Sequence, residues 1–163
     1  MINALFIIPS SIHLYTIPVL SRDFINDKKK FMRNASKLLL WFFLLGMLMM
    51  GIFGLSGKSL VTLLLGDAYE RTGKLIVFLS PLLFLKSMEF GFVCNIIAMN
   101  RQKYRLIPQL SAASVNILIN LWTIPRYGEF GAATAYIISE TVLFMGYGFV
   151  YFFWFKKMKV EIK

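Results

Sequence analysis

Two charged residues stand three positions apart inside an apolar run: Lys86 and Glu89, in LFLKSMEFGF. On a helix such a pair shares one face, so the ammonium and the carboxylate can meet. An intramembrane charge costs at least about 2.5 to 3.5 kcal/mol on insertion scales. Both side chains are therefore expected to face a neighbouring helix or a wet cavity, away from lipid. Two roles fit the spacing: a neutralised pair that fixes helix packing, or a polar, ion-responsive surface inside a translocation path.

Glu140, in AYIISETVLF beside Ser139 and Thr141, is a further carboxyl in an apolar run. It suits either a neutral acid hydrogen-bonded to another helix or a group for binding or proton exchange. His13 lies between Pro9 and Pro18, where an imidazole can satisfy a carbonyl freed by proline or titrate in a path. Asn116 and Asn120 in SVNILINLW form an i, i+4 polar pair suited to interhelical hydrogen bonding. The lone cysteine, Cys94, sits in an apolar helix and reads as packing, with no disulfide framework and no metal-ligand cluster. No nucleophile, base and orienting group recur in a catalytic pattern, and no Gly-rich phosphate loop is present, so neither an enzyme nor a cofactor is expected.

The elements that must position these residues follow from composition. Of 163 residues, 58% are hydrophobic, against roughly 45 to 50% in soluble domains, and mean hydropathy is +0.66. Long runs with few charges, separated by short charged stretches, indicate an all-α integral membrane protein and not an alternating β-barrel. Five transmembrane spans are expected, at about 2–21, 38–56, 75–99, 107–124 and 132–155. Pro9 and Pro18 should kink or break the first. The run Leu60 to Leu65 is too short to cross and reads as a separate interfacial helix. Pro125 should stop the fourth span, with Gly128 and Gly131 turning the chain into an antiparallel hairpin. Trp154 and Tyr151 are expected to anchor at the inner interface.

The net charge of +10 is a topology signal. Thirteen of the eighteen basic residues fall in 22–37, 100–106 and 156–163, which are alternate connections. The positive-inside rule makes these cytoplasmic and 57–74 and 125–131 external, which explains the charge without nucleic acid as a partner. An apolar helix directly after Met1, with no preceding basic residue, suits a chain that continues from an earlier span. A single domain, forming part of a longer protein, is expected.

Ordered phrases then suggest a family. IPVLSRDF, LLLGDAYERTGKLIVFLSP, IIAMNRQKY and VNILINLWTIPRYGEFGAATAYIISE resemble, in order and spacing, the C-terminal half of the Wzx-type O-antigen and capsule flippases. These belong to the multidrug/oligosaccharidyl-lipid/polysaccharide (MOP) exporter superfamily. The most specific part is the hairpin, with Ile124, Pro125, Tyr127, Gly128, Gly131, Ala132, Ala133, Ser139 and Glu140. The resemblance implies an incomplete C-terminal lobe of a MOP/MATE-like transporter of 12 to 14 spans in the bacterial plasma membrane. It also implies an undecaprenyl-diphosphate-linked oligosaccharide as cargo, and the missing helices and the polysaccharide polymerase machinery as partners. In that setting Lys86, Glu89, Glu140, Arg22 and His13 are substrate-path candidates, with Lys86 and Arg22 meeting the diphosphate. A drug or peptidoglycan-precursor exporter of the same superfamily and a non-transporting membrane scaffold or partner subunit are the alternatives.

Overall fold

The structure, a computed structural model, describes residues 7–161, with side chains described from Tyr15 to Val160 except Leu65. The described chain is almost entirely helical: α1 (Ile7–Asn26), α2 (Lys28–Leu65), α3 (Glu70–Leu79), α4 (Pro81–Ala98) and α5 (Leu106–Glu161). Short 3-10 turns at Asp67–Tyr69 and Gln102–Arg105 link them. Among the described residues, three helices are long and apolar enough to cross a membrane: Lys28–Leu64, Pro81–Ala98 and Gln102–Val160.

Caps and special backbone angles set the boundaries, and they move several of the expected ones. The basic stretch 22–37 is not a loop, because the chain reverses within one residue. Asp27 has extended backbone and accepts from the amides of Lys29 and Lys30 at 2.9 and 3.0 Å, which starts α2 at once. At about 1.5 Å per residue the 38 residues of α2 extend about 57 Å, nearly twice a hydrocarbon core. The run Leu60 to Leu65 is thus the last part of α2 and not a separate interfacial helix; Gly66, at φ 88°, caps it. Pro18 lies inside a continuous α1, which it does not break. The expected span 75–99 is divided at Ser80, with Pro81 opening α4 where its missing N–H is harmless.

The helix of α5 continues through Pro125, contrary to expectation, and reverses at Gly128 instead (φ 56°, ψ −128°). That reversal creates two antiparallel arms, 106–127 and 129–161. They are pinned at Thr123, whose hydroxyl donates to the Gly131 carbonyl at 3.0 Å, and at Asn116, whose amide donates to Ser139 at 3.0 Å. Pro108 packs on Gly146 further along. A Cβ at Gly131 would stand 2.3 Å from the Thr123 carbonyl oxygen, so only glycine permits the tight crossing.

α4 is the central helix, packed against α1, α2 and α5. Its contact with α2 is a seam of small residues: a Cβ at Gly46 would lie 3.0 Å from the Ser87 side chain and 3.1 Å from Phe84 Cα. Backbones approach this closely where helices associate through dispersion rather than through exclusion of water. The main core gathers at one end of α4, where Phe92, Cys94 and Ile96 meet Phe31, Phe42, Tyr147 and Tyr151. Tyr151 is therefore buried among aromatic rings, correcting its expected place at an interface.

Charge separates along the helices as the alternate pattern requires. α4 ends in a Schellman turn: Asn100 takes φ 56°, its amide reaches the Ile97 carbonyl, and the Arg101 amide reaches that of Ile96. The turn delivers Arg101 to a small cavity that Lys28 and Lys157 also line, so all three basic stretches meet at one end. Towards the opposite end, Glu70 binds Lys58 at 2.9 Å and Lys74 at 3.3 Å, while Arg71 pairs with Glu129 beside the hairpin turn. The two lysines, Lys58 foremost, hold the Glu70 carboxyl below its ordinary range.

Candidate functional site

Lys86 projects from the second turn of α4 and its partner Glu89 from one turn further on, 3.4 Å from ammonium to carboxylate. Across the helix interface, Glu140 of the second arm comes closer, with Oε2 at 2.5 Å from the same Nζ. One ammonium thus lies between two carboxyls contributed by different helices. Glu89 is 5% exposed and Glu140 7%, so neither has free access to solvent. The geometry leaves some valence unused: Glu89 Oε1 faces no donor, and Glu140 Oε2 touches the ammonium without an aligned hydrogen bond.

Tyr136, one turn before Glu140, turns its ring face towards Lys86 at 5.9 Å and adds a cation–π contact. Sequence reasoning passed over this residue. The i, i+4 relation of Tyr136 to Glu140 was the available signal. Phe84, Phe92 and Phe144 form a connected aromatic layer beside the cluster.

Glu140 also opens onto a groove between the two arms, about 410 Å³, lined by Asn116, Tyr136 and Ser139 among others. A second groove of about 390 Å³ adjoins it towards the hairpin turn and includes Asn116 and Asn120. Asn120 donates to Asn116 at 2.9 Å along the first arm, and Asn116 donates across to Ser139 of the second. Asn116 also lines both grooves, and Asn120 the second. Cys94 is wholly buried in the core, as a packing residue should be.

No family model matches the chain, and no curated protein or solved structure matches it either.

The site is therefore described by its own residues. Lys86, Glu89 and Glu140 come together, and Asn116 and Asn120 lie along the adjoining grooves. Arg22 does not join them: it is exposed near the end of α1, in no ion pair with the cluster. The side chain of His13 lies outside the described residues. Among the described residues, no group of three His, Cys, Asp or Glu side chains could hold a metal ion.

A buried cation shared by two carboxyls is an electrostatically unbalanced arrangement. One ammonium matches one carboxylate, so neutrality needs one more positive charge. In low dielectric that requirement is strong, because an uncompensated charge costs several kcal/mol. Such a cluster can hold two helices in one relation while the extra charge is present and weaken that relation when it leaves.

Proposed function

We propose that the chain is a C-terminal portion of a membrane transporter that moves a lipid-linked oligosaccharide from the inner to the outer leaflet of a bacterial plasma membrane. The observation that carries this reading is the buried Lys86–Glu89–Glu140 cluster, set between helices and opening onto a groove lined by Asn116 and Ser139. Apolar helices bear such a cluster at a cost, and a polar glycan with an anionic diphosphate needs a charged, wet route through hydrocarbon. The resemblance of the hairpin phrases to the Wzx-type flippases supplies the class of cargo.

In this reading the two arms and α4 form one wall of a cavity whose remaining wall comes from further helices, on the same chain or another. Lys86 attracts the diphosphate in competition with its two carboxyls. The extra positive charge that the cluster calls for is the coupling ion, and its arrival or departure biases a rocking movement of the lobes. The end where the basic stretches meet faces the cytoplasm, and the end bearing Gly128 faces outward.

The test is Lys86→Ala in the complete transporter, with surface polymer export measured alongside the amount of protein in the membrane. Loss of export at unchanged abundance is the expected result. Export at the original rate would remove Lys86 from the substrate path.

A further inference from the structure

On the side of the arms' seam away from Glu140, a groove of about 730 Å³ flanks the Pro108–Gly146 contact, within the range of pre-formed ligand sites. Its walls are apolar, with Pro108 on one arm and Phe149 and Phe153 on the other, and it runs to Tyr104, Trp154 and Lys157. Trp154 and Lys157 also line the small cavity that Lys28 and Arg101 complete. An apolar groove and a cationic cavity therefore adjoin across two shared residues.

The charges at this mouth are disposed to receive an anion. Arg101 stacks on Trp154 at 3.8 Å, Lys157 lies 5.3 Å from the same ring, and Lys103 lies 5.3 Å from Tyr104. The Tyr104 and Trp154 rings pack against each other, tilted by 45° with centroids 5.2 Å apart. Among the described residues, Arg101, Lys103 and Lys157 have no carboxylate partner, whereas Lys30, Lys58, Lys74 and Arg71 each have one. The cavity, about 40 Å³, has room for about one water, so a phosphate would rest at its rim while its acyl chain extends along the groove.

We propose that this feature is a binding site for one anionic phospholipid of the adjoining leaflet, its phosphate held by Arg101 and Lys157 and its acyl chain seated between the arms. Charge complementarity selects the occupant: a neutral lipid would fill the groove and leave the three cations unmatched. Basic pockets between helices at the membrane surface recognise lipid headgroups in this way. The proposal rests only on that part of the functional reading which puts the chain in a bilayer, and it stands if Lys86 proves unrelated to export.

The experiment is native mass spectrometry of the purified chain in micelles holding equal amounts of dioleoylphosphatidylglycerol and dioleoylphosphatidylcholine. Phosphatidylglycerol adducts should exceed phosphatidylcholine adducts about tenfold, a preference that the Arg101→Gln/Lys157→Gln variant should abolish. Ser111→Trp, which fills the groove without touching the cations, should lower retention of both lipids. Lys58→Gln/Lys74→Gln, equal in charge change but at the other end, should leave the preference intact. Equal retention of the two lipids, or a preference that survives loss of Arg101 and Lys157, would overturn the site. Displacement by millimolar inorganic phosphate with no effect of Ser111→Trp would reduce it to an anion site without a lipid.

Discussion

Replacing Lys86 by Met keeps an unbranched side chain one atom shorter and removes the ammonium, which tests the electrostatic role of the cluster. Two carboxyls, each more than nine-tenths buried, would then be left without their shared cation. Removing one partner of a buried pair costs about 3 to 5 kcal/mol. Because Lys86 is partly exposed, the lower end, about 3 kcal/mol, is expected. Attraction falls inversely with separation, so the 2.5 Å partner Glu140 should couple roughly a third more strongly than the 3.4 Å partner Glu89. A double-mutant cycle separates the two, since the desolvation of each group cancels in the coupling energy. Lys86→Met, Glu140→Gln and Glu89→Gln, with the two double variants, would be unfolded reversibly in mixed micelles. The Lys86–Glu140 coupling should be about 1 to 3 kcal/mol, and Lys86→Met/Glu140→Gln should recover much of the stability that Lys86→Met loses. A Lys86→Met cost below about 1 kcal/mol, or a larger coupling to Glu89 than to Glu140, would refute the cross-helix cluster.

The α2–α4 seam gives a second expectation. Gly46→Val should destabilise by about 1 to 3 kcal/mol, because its new atoms meet Phe84 backbone. Gly51→Ala, with nothing within 4 Å, should stabilise by up to about 1 kcal/mol, and thermal unfolding of the two variants checks both signs. The third concerns Asp23, beyond the apolar part of α1. Lys30, 2.9 Å away, and then Asn34, at 2.7 Å, hold its carboxyl below its ordinary 3.8. A depressed folded-state value means that its stabilisation is present above pH 3.8 and lost as pH falls through that lower value. Asp23→Asn should flatten this acid limb of the stability profile and leave the profile near neutrality parallel to the original.

Apolar runs marked which segments are apolar enough to cross a membrane, but not where helices begin and end. LLLWFFLLGMLMMGIFGLS was legible as a membrane-length helix, whereas its extension to 38 residues depends on Asp27 and Gly66, cap residues lying outside the run. The turn at Gly128 was legible from its glycines, whereas the stop expected at Pro125 was not made, because the helix carries on through the proline for three residues to the positive φ of Gly128. Tyr151 looked like an anchor by composition, and aromatic neighbours from α4 and its own helix buried it. The Lys86–Glu89 relation was readable because it is local. Glu140 joins from another helix, through an arrangement of α4 and α5 that no local periodicity encodes.

The hairpin arms have one further property. Close contacts at Thr123–Gly131, Asn116–Ser139 and Pro108–Gly146 stitch them from the turn to the start of the first arm, and Tyr104 carries the contact on to Trp154. Two rods joined along their whole length behave as one thick strut, since bending either arm must bend the other. A displacement at the Gly128 end is thus carried by both arms together to the basic end.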